Sequence, residues 1–356
     1  MSTKKIAIVI ADMAAPGGAE KVAADLAEEF HARKHDVTVI KFEEYGDIPR
    51  FPYPGRTIHL HLPSRKGGLP RQVFTLLRRE WYFRKVFRQE KFDHIFSFLE
   101  ASNVPCVLAS RDVVLSMHLD PEKMTHHEWR AVKWFYPRAK RVITVSRQMT
   151  DLLVERAHLG NVKCIYNPVN TDLVREKSQE PIAVEGPFIL AVGRLERQKR
   201  FDLLIDAFAR SQARQSCKLV MVGRGSQQKI LEQQIAELGL QEQVVLVGFE
   251  LNPYKYMAKA EFQVMSSDYE GYPLVLIEAL SVGCPIVSTD CPTGPREIIR
   301  SGENGLLVEK GNADALAAGI DRIFTDTALR EQMRIKACQS VNANDITAVA
   351  DAWLAA

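Results

Sequence analysis

The sequence of 356 residues has no long hydrophobic run. No stretch reaches the roughly 18 uninterrupted apolar residues that a membrane-spanning helix needs. The first ten residues run from two lysines directly into a strand-like segment, without the cleavage site of a signal peptide. These absences predict a cytoplasmic protein. The length is about twice what one hydrophobic core usually organises, so two domains of similar size are expected.

Cysteine is sparse, and the six cysteines form no Cys-x-x-Cys pair. This spacing supports neither a zinc site nor a disulfide framework, and it predicts buried free thiols. The sequence also contains no Asp-x-Asp pattern, which would be needed for a metal ion bridged to a diphosphate. We therefore expect no metal and no cofactor.

Charge is distributed unevenly, although the net charge is only +3. Up to residue 180 there are 29 Lys and Arg against 22 Asp and Glu, and after it 18 against 22. Nine of the basic residues lie between Arg65 and Lys91, including Lys66. They alternate with apolar residues at helical spacing, which are Phe74, Leu77, Trp81, Phe83, Val86 and Phe87. The segment predicts a basic amphipathic helix over 69–90 that can lie on an anionic membrane surface. The alternative is that half of its apolar face packs on a sheet, with the arginines in solvent.

Short apolar runs alternate with segments of helical periodicity along the whole chain, which is typical of parallel βα units. Strands are predicted at Ile6–Ile10, Val37–Phe42, His94–Phe98, Val113–Met117, Val142–Val145, Phe188–Val192, Lys218–Val222, Val244–Val247, Phe262–Met265 and Ile286–Ser288. The polar, proline-flanked stretch between Asn170 and Pro187 predicts a hinge. Because ligands of parallel sheets bind at the carboxyl ends of strands, the loops after these strands are the places to look for chemistry.

The first predicted strand leads into Gly17 and Gly18, which precede a helical pattern. Glycines at such a turn let backbone N–H groups approach a phosphate at the helix N-terminus. The glycine spacing differs from that of a dinucleotide-binding loop. A plain tight turn without a ligand is the alternative.

Basic residues follow the strand predicted at Phe188–Val192. Arg194 lies at its carboxyl end and Lys199 one short loop later. A guanidinium fork and an ammonium group in this arrangement can hold a pyrophosphate. A solvated basic loop is the alternative, because other arginines lie in the same segment. Gly223 follows the next strand and permits the close approach of a base or a ribose.

The most specific pattern runs from Asp268 to Leu280. Glu270 falls in a Gly-Pro loop, and Glu278 falls one to two turns into the helix that follows. Two carboxylates placed in this way can reach two hydroxyl groups of one elongated ligand. The backbone N–H groups of Leu274 and Val275 would face the phosphates of the same ligand.

Three motifs taken together resemble a known family. They are GGAE near the start, GRLxxxK at Gly193–Lys199, and E-G-x-P-x-x-x-I-E at Glu270–Glu278. In combination they are similar to the large retaining glycosyltransferase family 4, and the resemblance runs from Lys5 to about Ile346. It implies an α/β protein with the GT-B fold, in which two doubly wound Rossmann-like domains face each other across a cleft.

The resemblance also implies how the chain is divided. We expect an acceptor-binding domain over residues 1–175 and a nucleotide-sugar-binding domain over residues 176–340. A C-terminal helix over residues 341–356 is expected to cross back to the first domain.

The resemblance further implies roles for single residues. Arg194 and Lys199 would bind the diphosphate of a UDP-sugar, Glu278 the ribose, and Glu270 the donor sugar. A histidine after a strand of the first domain is also implied, and His118 matches it, although a lone histidine there can be structural. The full donor-binding set is expected to be Arg194, Lys199, Gly223, Glu270, Gly271, Tyr272, Leu274, Val275 and Glu278. The catalytic set is expected to be Glu270, His118, Arg194 and Lys199.

The basic helix resembles, in position and charge, a helix that contacts the pyrophosphate of a polyprenyl-linked glycan in a family member of bacterial N-glycosylation. The acceptor-binding residues are expected to be Gly17, Gly18, Arg78, Arg79 and Lys85. The expected activity is transfer of an N-acetylhexosamine or hexose from a UDP-sugar to a polyprenyl-pyrophosphate-linked glycan, during assembly of a bacterial surface polysaccharide or glycoprotein glycan. The protein would lie on the inner face of the cytoplasmic membrane, without a nucleic acid partner. The alternatives are a soluble transferase with a small-molecule acceptor and an inactive nucleotide-sugar-binding protein.

Overall fold

The computed structural model of the chain describes residues 2–14, 17–43, 51–63, 68–118 and 123–356. Arg65 and Lys66, which belong to the predicted basic segment, lie outside the described residues. The chain divides into two compact units, Met1–Pro168 with Ile346–Ala356, and Val169–Asp345. The division therefore falls slightly before the expected boundary at residue 175, and the C-terminal helix belongs to the first unit.

The first unit is built on a seven-stranded, fully parallel sheet. Its strands are β1 (Lys5–Ile10), β2 (Asp36–Lys41), β3 (Arg56–His59), β4 (His94–Phe98), β5 (Val113–Met117), β6 (Arg141–Thr144) and β7 (Val162–Cys164), in the order β3-β2-β1-β4-β5-β6-β7. β1 is buried along its whole length after Lys5, as expected for a central parallel strand covered on both faces.

Helices cover both faces of this sheet. They are α1 (Gly18–Ala32), α2 (Leu69–Glu90), α3 (Glu100–Ala109), α4 (His126–Phe135), α5 (Arg147–Ala157) and, from the end of the chain, the C-terminal helix (Ile346–Leu354). The C-terminal helix packs against α1, where Arg33 pairs with Asp351 at 2.5 Å. Its Trp353 is buried and stacks on Phe98 of β4, with the ring centroids 5.2 Å apart.

The second unit has a six-stranded parallel sheet in the order β10-β9-β8-β11-β12-β13. Its elements are α6 (Thr171–Ser178), β8 (Phe188–Val192), α7 (Phe201–Arg210), β9 (Lys218–Val222), α8 (Gln228–Glu237), β10 (Val244–Gly248), α9 (Tyr254–Met257), β11 (Gln263–Met265), α10 (Leu274–Ser281), β12 (Ile286–Thr289), α11 (Pro295–Ile298), β13 (Gly305–Val308), α12 (Ala313–Thr325) and α13 (Thr327–Gln339). The Val169 N–H donates to the carbonyl of Asn344 at 2.7 Å, so the chain enters and leaves this unit side by side.

In each sheet, the direction in which successive strands are added reverses once. In the first, the chain winds outward from β1 to one edge through β2 and to the other through β4, and in the second it does the same from β8 through β9 and through β11. In open parallel sheets, ligands bind outside the carboxyl ends of the strands at this switch point. The loops after β1 and β4, and those after β8 and β11, are therefore the loops best placed for binding.

Candidate active site

Two loops meet at the switch point of the second sheet. The loop after β8 contains Lys199, and its neighbour Gln198 donates through Nε2 to the carbonyl of Tyr269 at 2.7 Å. The Asp268 N–H donates back to the carbonyl of Gln198 at 2.9 Å, and the Ser266 hydroxyl donates to the carbonyl of Lys199 at 2.7 Å. These bonds fix the loop that carries the predicted cations against the loop that carries the predicted carboxylate.

An ion pair joins the two loops. Lys199 Nζ lies 2.6 Å from Glu270 Oε1, and the two side chains are only 16% and 7% exposed. Arg194, which follows the same strand, is exposed. Two residues expected to contact the donor, Lys199 and Glu270, therefore lie together, and Arg194 precedes Lys199 in the same loop. Their contact with a donor stays a prediction.

A third loop, which contains Pro292, Thr293 and Gly294, hydrogen-bonds to the backbone of Glu270. The Glu270 N–H donates to the carbonyl of Pro292 at 3.3 Å, and the Thr293 hydroxyl donates to the carbonyl of Glu270. Gly294 has a φ of +89°, and a Cβ atom there would lie 2.7 Å from Cδ of Pro273. Glycine is therefore required where this loop packs on the Glu270 loop.

The helix that follows, α10, begins at Leu274 after Pro273. Because the first N–H groups of a helix have no partner inside it, those of Leu274 and Val275 are available to an anion. Glu278 lies just over one turn into the helix, as predicted. It is buried and accepts a hydrogen bond from the Tyr254 hydroxyl at 3.3 Å, a partner that the sequence did not suggest.

Two predicted donor residues have structural reasons for their identity. A Cβ atom on Gly223 would lie 1.8 Å from the carbonyl oxygen of Gly193, so the protein's own backbone already requires glycine at this position. Tyr272 is buried, and its hydroxyl accepts from Asn344 Nδ2 at 3.0 Å. The backbone of the adjacent Gly271 packs against the loop of Gly294. Donor contacts by these residues stay predictions.

A cavity of about 660 Å³ lies beside this cluster. It is lined by Arg197, Arg200, Asp202 and Asp268 among others, and none of the predicted donor residues lines it. Arg200 bridges Asp202 and Asp268 at 3.1 and 3.2 Å, so its charge is already compensated. Lys199 is likewise paired, with Glu270, but this pair lies in the loop that leads into α10, whose first N–H groups are without partners inside the helix.

In the first unit, Gly17 and Gly18 lie where the sequence predicted them, at the N-terminus of α1. A Cβ atom on Gly17 would lie 2.0 Å from Oε2 of Glu20, a buried side chain that folds back over the turn. These atoms are the far end of a flexible side chain that can shift, so the contact alone does not require glycine at position 17. A contact with a phosphate stays a prediction.

His118 follows β5 directly. Its Nε2 shares a hydrogen bond of 2.8 Å with the Ser116 hydroxyl, and its ring stacks on Phe98 with the centroids 5.6 Å apart. Since Phe98 stacks in turn on Trp353, the C-terminal helix supports the imidazole through two aromatic layers. Burial lowers the pKa of His118 to about 4, so the ring is neutral at neutral pH. It is suited to hydrogen bonding with a sugar rather than to pairing with a phosphate.

The predicted basic helix forms, as α2, and its apolar residues divide between two faces. Phe83, Val86 and Phe87 are buried against the first unit. Phe74, Leu77 and Trp81 are 63%, 57% and 55% exposed. Half of the apolar set therefore packs on the protein, and the other half faces outward.

The cations of α2 divide in the same way. Arg78 and Lys85 are exposed, and the Lys85 ammonium lies 5.6 Å from the ring centroid of Trp81. The prediction that Arg79 binds the acceptor assumed that its guanidinium group is accessible, and the structure contradicts this assumption. Arg79 is fully buried, pairs with Glu43 and donates to the carbonyl of Pro63 at 2.8 Å. It holds α2 to the loop after β2.

The cysteines and the metal-ligating residue types add no further candidate site within the described residues. All six cysteines are free, and burial raises the pKa of Cys106, Cys217, Cys284 and Cys291 to about 12. Within the described ranges, no three His, Cys, Asp or Glu side chains are grouped so as to hold a metal ion. In the same part of the chain, no helix is both long and apolar enough to cross a membrane.

Comparisons with known proteins agree with this geometry. Residues 16–173 match the family model described as Glycosyltransferase Family 4, and residues 174–340 match the one described as Glycosyl transferases group 1. The chain is 32% identical over 355 residues to the N-acetylgalactosamine-N,N'-diacetylbacillosaminyl-diphospho-undecaprenol 4-alpha-N-acetylgalactosaminyltransferase of Campylobacter jejuni, with 94% of each chain covered. A second relative from the same organism, a GalNAc-alpha-(1->4)-GalNAc-alpha-(1->3)-diNAcBac-PP-undecaprenol alpha-1,4-N-acetyl-D-galactosaminyltransferase, is 24% identical, with 98% and 97% covered.

Solved structures show the same fold. HepE from Anabaena in complex with UDP matches with a TM-score of 0.79 at 23% identity over 98% of each chain. Sucrose-phosphate synthase from Thermosynechococcus elongatus matches with a TM-score of 0.82 at 22% identity, covering 98% of this chain and 97% of that one. Two doubly wound parallel sheets of this kind define the GT-B class of α/β proteins. The chain belongs to glycosyltransferase family 4.

Proposed function

We propose that the protein is a retaining transferase that moves an N-acetylhexosamine or hexose from a UDP-sugar to a polyprenyl-pyrophosphate-linked glycan. The observation that carries the donor part is the Lys199–Glu270 pair beside the start of α10, with Arg194 in the same loop. The acceptor part is supported by the two relatives from Campylobacter jejuni, both of which act on undecaprenol-linked glycans.

The proposed reaction needs no protein nucleophile. The bond between the sugar C1 and the diphosphate oxygen breaks, and a bond from C1 to the acceptor oxygen forms on the same face. The acceptor hydroxyl proton passes to the departing phosphate, which leaves as UDP. Arg194, Lys199 and the N–H groups of Leu274 and Val275 stabilise the charge that develops on the diphosphate. Glu270 and His118 position the sugar, and Glu278 binds the ribose.

Because cationic side chains and a helix N-terminus supply this positive charge, we propose that transfer is independent of a metal ion. Preorganised groups of this kind replace the role that a bound divalent cation plays in other diphosphate sites.

The acceptor would be reached at an anionic membrane surface through the outer face of α2. Four apolar side chains of α2 are exposed, Val73, Phe74, Leu77 and Trp81, together with cations such as Arg78 and Lys85. An amphipathic helix of this composition lies in the membrane interface, with its apolar residues among the lipid chains and its cations beside anionic headgroups. We therefore propose peripheral association with the cytoplasmic face of the membrane.

Replacing Trp81 and Leu77 together with serine is expected to reduce cosedimentation with anionic vesicles about tenfold or more at low salt, because two exposed apolar anchors are lost. The matched control is Ile335→Ser, which changes an apolar residue of the second unit that is 68% exposed. Binding of the double variant equal to that of the parent would remove α2 from the docking surface.

The proposed function is tested in two steps. Thermal unfolding with UDP, GDP and ADP identifies the nucleotide, since a ligand at about 100 times its dissociation constant adds roughly 2.7 kcal/mol of stability. Transfer is then assayed with UDP-N-acetylhexosamines and UDP-hexoses on polyprenyl-pyrophosphate-linked saccharides, with and without EDTA, and the anomeric configuration of the product is read by NMR. A UDP-specific shift followed by an α-linked product from an α-linked donor is expected. Inversion at C1, or transfer only to soluble acceptors, would refute it.

A further inference from the structure

A carboxyl group with an unusual environment lies at the switch point of the first sheet. Glu100 begins α3 directly after β4, and Gly17 and Gly18 follow β1 on the other side of the switch point. This is the same topological position that Glu270 and Lys199 occupy in the second sheet. Within the described part of the chain, Oε1 of Glu100 is buried and has no hydrogen-bond partner. Buried polar atoms almost always have one, so this oxygen needs an explanation.

The backbone that presents Glu100 is strained. Leu99, the residue before it, has φ +70° and ψ 159°, a region that is almost confined to glycine. The strained turn is held in place by hydrogen bonds to the Leu99 carbonyl, which accepts from the Ser102 N–H at 3.2 Å, the Asn103 N–H at 3.1 Å and the Ser102 hydroxyl at 3.0 Å. The surroundings therefore maintain an unfavourable conformation that directs the chain into α3 at Glu100.

Among the described residues no cation contributes to the pKa of Glu100, whose carboxyl group accepts a hydrogen bond from its own backbone N–H. Glu128 of α4 carries the same charge, and the nearby Tyr136 hydroxyl accepts a hydrogen bond from Asn103 Nδ2 at 3.1 Å. Arg79 of α2 donates to the carbonyl of Ala101, but it pairs with Glu43. Burial, with a smaller contribution from Glu128, raises the pKa of Glu100 to about 7.

These surroundings define the chemistry of a ligand. An anionic pyrophosphate is excluded as the direct partner, because the site contributes negative rather than positive charge. A neutral hydrogen-bond donor suits the unpaired oxygen, and sugar hydroxyl and acetamido N–H groups are such donors. His118 follows β5, the neighbouring strand, where Phe98 of β4 pairs with Ser116 of β5. Its neutral ring supplies a second polar group at the same edge of the sheet.

We propose that Glu100 is an acceptor-binding residue whose carboxyl group hydrogen-bonds a hydroxyl or acetamido N–H group of the acceptor glycan. This inference rests on the proposed function and adds a sugar-recognising residue to it. It places the specificity for the acceptor's terminal sugar in the first unit, at the turn between β4 and α3. The exposed cations of α2 would then interact with the pyrophosphate and the membrane, and Glu100 with the glycan.

The test compares Glu100→Gln with Asp112→Asn in the full chain. Asp112 is an exposed carboxylate that precedes β5, at the opposite edge of the same sheet, so it is a matched control. The assay uses the UDP-sugar and the polyprenyl-pyrophosphate-linked saccharide that the parent accepts. Glu100→Gln is expected to raise the KM for the acceptor about threefold or more, since an amide oxygen accepts a hydrogen bond more weakly than a carboxyl group that is partly ionised at neutral pH. The KM for the donor and the unfolding shift with UDP should stay within twofold of those of the parent.

A second variant, Glu100→Asp, keeps the charge but withdraws the carboxyl group by one methylene, and an intermediate acceptor KM is expected. Parent-like acceptor KM values in both variants would overturn the assignment while leaving the proposed function intact. Equal increases in the KM for donor and acceptor would also overturn it, because they indicate a structural role. A parent that transfers to no lipid-linked saccharide would refute the proposed function and this inference together.

Discussion

Replacing Arg194 with alanine is expected to lower turnover about 10²-fold or more, and to abolish the increase in unfolding temperature that UDP produces. In the proposed reaction, the guanidinium group stabilises negative charge as the diphosphate leaves, and removing one preorganised donor of this kind typically has an effect of this size. Arg194 is exposed, so its removal leaves no buried charge. Removing Lys199 instead would leave Glu270 buried without its partner, so the variant would lose stability as well as activity.

Arg197→Ala is the matched control for this experiment. Arg197 is an exposed arginine three residues along the same loop, and it lines the neighbouring cavity rather than the Lys199–Glu270 cluster. Its turnover and UDP shift are expected to stay within threefold of the parent values. If Arg194→Ala loses less than threefold in turnover, or if the two variants lose activity equally, the loop contributes general positive charge and Arg194 has no specific role.

The sequence was most informative where strands are central. The ten predicted strands all form, with ends that agree within one or two residues. The three strands that the sequence did not suggest are β3, β7 and β13, and each lies at the edge of a sheet. β3 and β7 have no fully buried residue, so they lack the continuous apolar run that marks a strand covered on both faces. Of the four edge strands only β10 was predicted, from the apolar run at Val244–Val247; the other three are specified by pairing with a neighbour, which a local pattern does not contain.

The cluster of Lys199 and Glu270 was predictable for a related reason. Its residues lie in short loops directly after central strands, so their position along the chain determines their position at the edge of the sheet. Glu100 satisfies the same rule, but the sequence did not single it out as a site residue. Its indications are the strained turn at Leu99 and an unpaired oxygen, and both are properties of three-dimensional packing.

The basic helix shows that helical periodicity alone does not determine which of its charged residues are buried. Arg78 and Arg79 are adjacent in sequence, and the charge pattern alone predicts that both bind an acceptor phosphate. Successive residues on a helix point about 100° apart, so one of two neighbours can face solvent while the other faces the core. Here the core lies on the side of Arg79. The burial of a charged residue depends on the presence of Glu43, which lies on a distant part of the chain.

Replacing Arg79 with methionine is therefore expected to destabilise the first unit by about 3–5 kcal/mol, because it removes the guanidinium group that pairs with the buried carboxylate of Glu43. For a unit of this size, such a change corresponds to a decrease in unfolding temperature on the order of 10 °C. The guanidinium group also lies 4.6 Å from the ring centroid of Phe42, and this contact is lost with it. Thermal unfolding followed by circular dichroism measures the effect.

Arg78→Met is the matched control, since Arg78 is exposed on the same helix and its removal leaves no buried charge. Its unfolding temperature should stay within about 2 °C of the parent value. The double variant Arg79→Met, Glu43→Leu should recover much of the lost stability, because a buried pair replaced by apolar side chains of similar volume is often neutral. If Arg79→Met unfolds at the parent temperature and instead loses affinity for the lipid-linked acceptor, Arg79 is a ligand after all. Comparing the Arg78 and Arg79 variants thus distinguishes an effect on the stability of the first unit from an effect on acceptor binding.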